Sequence, residues 1–274
     1  MRTSRRSFLV AAIGTGAAAL GRGVAGAQQR NMKQADVSSI KALVFDTFGT
    51  VVDWRTSVAE QVEAVARQKG VKVTGVAFAD AWRAQYGPSM ERVRKGELPW
   101  TKLDQLHRMS LDRLLPEFGL TMLSEPEKVS LNKAWHRLRP WPDSVAGLTR
   151  LKRKFTIASL SNGNISLMTD LAKFAGLPWD CILGAELARH YKPDPEVYKS
   201  AAEFLDLAPG EVMMVAAHLG DLRAAKAVGL RTAFVVRPDE YGHGPNDRKP
   251  DLAASDAADI SARDFEDLAG QLST

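Results

Sequence analysis

Four short segments hold residues able to do chemistry together. Asp46 ends the apolar run Lys41-Ala-Leu-Val-Phe and is followed at once by Thr-Phe48-Gly-Thr50. Ser161-Asn162-Gly163, Lys192-Pro-Asp-Pro and Gly220-Asp221 each stand at or just beyond another apolar run. A lone Asp after a strand is usually a turn or N-cap residue. The repetition of the pattern argues otherwise, because in an open α/β sheet the groups at several strand ends converge in one crevice. They would bring together two carboxylates, a lysine and a hydroxyl–amide pair, a set suited to nucleophilic and acid–base chemistry.

The elements that must position these residues follow from the hydrophobic pattern. Ala42–Phe48, Thr156–Ser161, Val212–Ala217 and Thr232–Val236 are apolar runs of strand length, as expected of parallel strands covered on both faces. Helical patterns separate them at Ser144–Lys154, Ile165–Ala175, Pro195–Leu205 and Leu222–Val228, with Gly176 and Gly229 as C-caps and Pro195 in a first turn. This alternation predicts an α/β fold built on a Rossmann-like, doubly wound parallel sheet. One region departs from it. From Thr56 to Leu138 the pattern is helical, with helices predicted at Ser57–Lys69, Phe78–Tyr86, Leu103–Leu115 and Glu125–Leu138. An insertion of that size, directly after the first strand, would sit over the strand ends as a helical cap. The expected organisation is a core of residues 40–55 and 139–274 with a cap of residues 56–138.

The N-terminus reads separately. Ser4-Arg5-Arg6-Ser7-Phe8-Leu9-Val10 is a twin-arginine pattern, followed by a weakly apolar stretch and the small-residue end Val24-Ala25-Gly26-Ala27. The apolar run is short and Gly-rich for a bilayer span. Residues 1–27 are therefore read as a Tat-type signal peptide cleaved after Ala27, which gives a periplasmic location. Residues 28–39 are read as a polar, poorly ordered lead-in. Four of the 37 basic residues (Arg2, Arg5, Arg6 and Arg22) lie in this leader, leaving 33 against 32 acidic residues. The net charge of +5 thus belongs to the leader, and no electrostatic footprint for nucleic acid remains. Cys181 is the single cysteine, so no intrachain disulfide can form, and its apolar setting marks a buried small hydrophobe.

Phe45-Asp46-Thr-Phe-Gly-Thr50, Trp82-Arg83, Leu160-Ser161-Asn162-Gly163-Asn164 and Tyr191-Lys192-Pro-Asp-Pro-Glu-Val-Tyr198, in this order and spacing, resemble the haloacid dehalogenase superfamily. The likeness is to its type II, L-2-haloacid dehalogenase branch, over about residues 40–240. The resemblance implies that Asp46 is the nucleophile, which expels halide and forms an aspartyl ester. It implies that Thr50 orients that carboxylate, that Arg83 receives the halide from the cap side, and that Ser161 and Asn162 bind the substrate carboxylate. Lys192 is similar to the lysine that keeps the nucleophile ionised. Tyr198 matches the tyrosine of the same segment, and Asp221 the acid that positions or activates water. The elementary chemistry agrees: displacement of halide needs a dry, ionised nucleophile and a cationic receptor for the anion released. A guanidinium remains charged in such a pocket.

Two departures from the family pattern bear on function. Phosphatases of this fold resemble Asp-x-Asp, where the second Asp is a general acid; here that position is Phe48, which has no proton to donate and can line an apolar pocket. With Lys192 competing for a cation site between Asp46 and Asp221, no metal or other cofactor is expected. The fourth segment, Ala216-Ala217-His218-Leu219-Gly220-Asp221, carries methyls and an imidazole where type II relatives resemble Ser-Ser-Asn, and Gly220 where they have a bulky aromatic. His218 is either a general base or a hydrogen-bonded residue at a strand end. His107 and His136 are read as packing or surface residues of cap helices, and His190 and His243 as loop residues without metal-ligand spacing. Trp82, Trp100, Trp135 and Trp141 are read as packing residues. Pro238–Pro250 is read as a surface loop and Asp264–Leu272 as a closing helix.

The expected activity is hydrolytic dehalogenation of short 2-haloacids. A Mg²⁺-dependent phosphatase of the same fold, or a periplasmic carboxylate-binding relative without turnover, are the alternatives. The small-molecule haloacid, water and the Tat machinery are the expected partners, with a homodimer left open.

Overall fold

The computed structural model describes residues 37–242 and 249–274. The leader, the lead-in up to residue 36, and His243 lie outside the described residues. In chain order the elements are β1 (Ala42–Phe45), β2 (Val52–Asp53), α1 (Trp54–Gln68), α2 (Gly75–Ala84), α3 (Tyr86–Arg94), α4 (Leu103–Glu117), α5 (Glu125–Asn132), β3 (Arg139–Pro140) and α6 (Ser144–Leu151). There follow β4 (Thr156–Ser161), α7 (Ile165–Ala175), β5 (Cys181–Gly184), α8 (Ala185–Ala188), α9 (Pro195–Phe204), β6 (Val212–Ala216), α10 (Leu219–Ala227), β7 (Arg231–Val235), β8 (Ile260–Ala262) and α11 (Phe265–Gln271).

Six of the strands form one parallel sheet in the order β5-β4-β1-β6-β7-β8. The central strand shows why its sequence is apolar throughout. Leu43 and Phe45 enter the core on one face, Ala42 and Val44 the core on the other, and all four are fully buried. Strand order reverses about β1: the chain fills β4 and β5 on one side, then returns to β6, β7 and β8 on the other. The crevice at the carboxyl ends of β1, β4 and β6 is the switch point where such sheets take ligands.

The insertion leaves and re-enters through the antiparallel pair β2 and β3 and is helical from α1 to a 3₁₀ turn at Lys133–His136. α1 and α2 approach closely because Gly75 has no side chain; a Cβ there would lie 2.3 Å from the Ala59 carbonyl oxygen. A cluster of rings joins the insertion to the sheet. Trp135 packs against Trp54, Trp82 and Phe48 at centroid distances of 6.1, 5.6 and 5.9 Å. These four side chains are nearly fully buried, and large apolar groups so buried contribute roughly 1.5–3 kcal/mol each.

The turn after β1 is set from both sides. Val51 and Val52 N–H donate to the Thr47 carbonyl, Gly49 takes φ +87°, and Ser144 Oγ donates to the Val51 carbonyl. Arg237, buried at the end of β7, donates to the Thr50 carbonyl at 2.8 Å and pairs bidentately with Asp143 at 2.8 Å for each contact. Asp143 also accepts the Phe265 N–H, and burial is outweighed by Arg237 so that its pKa is lowered.

The structure differs from expectation at several elements. β1 ends at Phe45, which leaves Asp46 in the turn, and α10 begins at Leu219, three residues early. The helix expected over Phe78–Tyr86 is α2, and a second helix, α3, starts at Tyr86. Pro88 can occupy a first turn but not a helix interior, which accounts for the break. Strands β5 and β8 were not expected; both are short, and β5 carries the half-buried Cys181 where a buried residue was expected. Pro238–Pro250 is not a surface loop throughout, since Glu240 within it is only 1% exposed.

Removing one partner of a buried ion pair typically costs about 3–5 kcal/mol. Arg237→Met leaves Asp143 with the Phe265 amide alone and is expected to lower stability by roughly 3 kcal/mol in urea unfolding monitored by tryptophan fluorescence.

Candidate active site

At the carboxyl ends of the strands lies a cavity of about 290 Å³, small beside the ~300–1,000 Å³ typical of drug-sized ligands. Eight of the ten residues singled out in the sequence line it: Asp46, Phe48, Arg83, Asn162, Lys192, Tyr198, His218 and Asp221. Thr50 and Ser161 stand behind its wall, both fully buried.

Asp46 is the centre of the arrangement. Its backbone N–H donates to the Val215 carbonyl, which continues the sheet pairing and aims the side chain into the crevice. Lys192 Nζ stands 2.9 Å from Asp46 Oδ1 and 2.5 Å from Asp221 Oδ2, so one ammonium bridges the two acids. Thr50 Oγ1 donates to Asp46 Oδ2 at 2.8 Å and accepts the Ala217 N–H at 2.9 Å. The backbone amide fixes the direction of the Thr50 hydroxyl proton. Ala217 thus serves through its main chain. His218 Nδ1 is 3.0 Å from Asp46 Oδ2, and Tyr198 Oη is in contact with Asp221 Oδ1.

The charges follow from burial and neighbours. Burial alone would raise the Asp46 pKa, but the Lys192 charge and His218 outweigh it and hold the carboxyl well below the usual carboxylate range. Burial would lower Lys192, yet Asp221 and Asp46 keep it firmly protonated. Asp221 moves the other way: burial and the negative charge of Asp46 raise it despite Lys192. The two acids are therefore pushed apart, which is how environment assigns a nucleophile and a base to two identical groups.

Arg83 projects from α2 on the opposite wall. Its Nε and Nη1 are buried without a hydrogen-bond partner among the described residues. Its guanidinium carbon lies 4.0 Å from the Tyr86 ring centroid and 5.5 Å from that of Trp54. A guanidinium stacked on rings but left without an acceptor is costly unless an anion completes it. Asn162 differs from expectation. Its Oδ1 accepts the Lys192 N–H at 2.7 Å and its Nδ2 donates to the Lys192 carbonyl at 3.3 Å, so the amide anchors the lysine's backbone as well as lining the cavity. Ser161 Oγ accepts the Gly163 N–H at 3.1 Å and does not reach the cavity wall.

Three contributors were missed in the sequence. Glu240 binds His218 Nε2 with both oxygens at 3.0 Å. Tyr86, on the cavity wall, supports Arg83. Arg94 at the end of α3 donates to the Lys192 carbonyl at 2.6 Å and to Asp194 at 2.8 Å, tying the insertion to the lysine loop. The remaining histidines lie elsewhere. His107 is buried against Trp135 at 4.5 Å and stays neutral, burial pushing it down to about 3. His136 sits between Asp104 and Asp170.

Fold and site together describe a Rossmann-like α/β protein whose buried Asp46 carboxylate, paired with Lys192, faces a small cavity at the end of the central strand. The chain matches the haloacid dehalogenase-like hydrolase family over residues 40–229 and belongs to that family. It is 31% identical over 220 residues to (S)-2-haloacid dehalogenase 1 of Pseudomonas sp. (strain CBS-3), covering 75% of this chain and 90% of that one. A crystal structure of a defluorinating L-2-haloacid dehalogenase shares 51% identity with a TM-score of 0.82, over 86% of this chain and 96% of that one. The L-2-haloacid dehalogenase of Xanthobacter autotrophicus with chloropropionic acid covalently bound shares 26% identity with a TM-score of 0.71, over 85% and 98%.

The role of Lys192 is open to direct measurement. In Lys192→Gln the burial of Asp46 is no longer opposed by an adjacent ammonium, so its pKa rises and the ionised form is lost as pH falls. Reaction at Asp46 in the wild-type protein should not lose rate through protonation of Asp46 as pH falls toward the usual carboxylate range, whereas the variant should be slower by roughly a hundredfold at neutral pH and decline further on acidification. A pH–rate profile of the two proteins checks this.

Proposed function

We propose that the chain hydrolyses short L-2-haloacids to D-2-hydroxyacids and halide through an ester on Asp46. One observation carries the reading: a buried carboxylate kept ionised by Lys192 faces a buried guanidinium, Arg83, that lacks an acceptor. Asp46 attacks the halogen-bearing carbon from behind, and the halide leaves toward Arg83. The substrate carboxylate lies toward Asn162. Water then attacks the ester at Cγ of Asp46, with Asp221 taking its proton; the raised pKa of that acid makes it the better base of the two. The second step occurs at the aspartyl carbon, so the single displacement inverts the substrate carbon. Phe48, 2% exposed, stands where a phosphatase of this fold would hold its acid. A departing halide needs no proton, so this substitution costs the reaction nothing.

The reading for residues 56–138 is a cap whose Arg83 completes the site. The Tat-type leader, cleavage after Ala27, a periplasmic location and a homodimer complete the proposal; the twin-arginine motif and small-residue end support the first three.

Two measurements test these statements. Halide release from L- and D-2-chloropropionate in EDTA should be steady and L-selective, and Asp46→Asn should abolish it. No release from either enantiomer would sink the assignment. For export, replacing Arg5 and Arg6 together by Lys should leave uncleaved protein in the cytoplasmic fraction; unchanged periplasmic recovery would rule out the twin-arginine route.

A further inference from the structure

The two oxygens of Asp46 are held differently. Among the described residues Oδ1 has one donor, the Lys192 ammonium, and Oδ2 has two, Thr50 Oγ1 at 2.8 Å and His218 Nδ1 at 3.0 Å. Oδ1 keeps the lone pair for attack, and Oδ2 then becomes the carbonyl oxygen of the ester. Donors about 2.7–3.1 Å from the oxygen that will carry negative charge are what an oxyanion hole requires.

His218 is bracketed by carboxylates at both ring nitrogens, Asp46 at Nδ1 and Glu240 at Nε2. Both contacts are hydrogen bonds only if both nitrogens carry protons. Glu240 is buried, and its Oε1 also accepts the Trp54 indole N–H at 3.3 Å, so it is fixed from two sides. Room for it comes from Gly49, where a Cβ would lie 2.2 Å from Glu240 Oε1.

We propose that His218, held by Glu240, is the charged half of an oxyanion hole for hydrolysis of the Asp46 ester, with Thr50 the neutral half, and that it does not take the proton of the attacking water. This rests on the ester mechanism above. Forming the ester removes the charge of Asp46, and a histidine paired with Asp46 alone would then have lost its anion. Glu240 keeps the imidazolium charged through the intermediate. In the resting site burial works against the charge, and Glu240 and Asp46 outweigh it, pushing His218 up to about 10. The other charged groups on the cavity wall are Asp221, Lys192 and Arg83, and Asp251 accepts the Leu219 N–H next to His218.

The step balances as follows. Water oxygen bonds to Cγ while one water proton passes to Asp221, and the negative charge settles on Oδ2 between Thr50 and His218. Collapse breaks the Cγ–Oδ1 bond. Oδ1 leaves as the product hydroxyl with the proton from Asp221, the water oxygen stays in the Asp46 carboxylate, and the second water proton goes to solvent. Glu240 is a positioning residue throughout.

Single-turnover reaction of the protein with L-2-chloropropionate, followed by halide release and by intact mass of the ester, tests the inference. In His218→Leu/Glu240→Leu, which leaves no unpaired buried charge, halide should still be released once per chain. Ester decay should slow by about 10²–10³-fold, so the adduct accumulates. In the wild type, ester decay should fall as pH rises through the ionisation of His218, which in the ester lies below its resting value of about 10 because Asp46 no longer carries its charge. Glu240→Gln should move that fall to lower pH, because His218 then loses its proton sooner; a merely structural role would not move it. Ester decay that rises with pH through the same ionisation, or is unchanged in the double variant, would overturn the inference and leave the dehalogenase reading standing. A wild type that forms no ester would overturn both.

Discussion

Burying two carboxylates within reach of each other is unfavourable, since each loses hydration and each repels the other. The Lys192 ammonium makes the arrangement tenable by standing 2.9 and 2.5 Å from Asp46 and Asp221. Much of the surrounding structure serves that contact. Asn162 holds the main chain of Lys192 on both its polar groups, Arg94 reaches from the insertion to its carbonyl, and Tyr198 satisfies the far oxygen of Asp221. A lysine on a long flexible stem loses side-chain entropy when placed, and backbone anchoring from two directions limits where it can go. Coupling of Arg94 to the same loop also means that the insertion and the charge partner of Asp46 are positioned together.

Around this bridge the formal charges balance. Asp46, Asp221 and Glu240 contribute three negative charges, while Lys192, Arg83 and the doubly protonated His218 contribute three positive ones. The pairs are not equivalent. Lys192 and His218 each touch a carboxylate, while Arg83 rests on aromatic faces with two nitrogens unmatched. The imbalance is therefore local: the open electrostatic demand sits on the insertion side, opposite the nucleophile. In the proposed reaction an anionic substrate answers that demand, and the leaving anion inherits the position.

How much of this was legible in the sequence depended on distance along the chain. The largely apolar runs around Leu43, Ile157 and Val215 marked the inner strands because a strand covered on both faces leaves no regular polar alternation. The edge strands at Cys181–Gly184 and Ile260–Ala262 are short, and the register partners that define them lie far away in sequence. Asp46, Thr50 and Asp221 could be read because each follows a recognisable strand end, and Lys192 because Pro-Asp-Pro follows it directly. Glu240 could not. It lies in a polar stretch beside Pro238 and Asp239, and its burial comes from Trp54, His218 and the missing side chain of Gly49. A glycine three residues before β2 and an acid one hundred and ninety-one positions later carry no local signal of each other. Ser161 shows the reverse error: its hydroxyl closes the turn onto Gly163 and leaves the cavity to Asn162.

Phe48 and His218 together constrain which reactions the site can complete. A leaving group that departs as an alkoxide needs an acid beside it, and the side chain two positions after the nucleophile is a ring packed against Tyr86 and Trp135. Halide departs as a stable anion and makes no such demand. The second step does expel an oxygen, but the water that attacks brings the proton that oxygen needs, and Asp221 has only to carry it across. The second step needs a strong electrophilic contact to the ester carbonyl oxygen. In the proposed oxyanion hole the imidazolium at Oδ2 supplies that contact, and it can do so only while a second carboxylate holds its charge. Glu240, a buried acid outside the recognisable motifs, is thus the companion that an imidazolium at Asp46 Oδ2 requires.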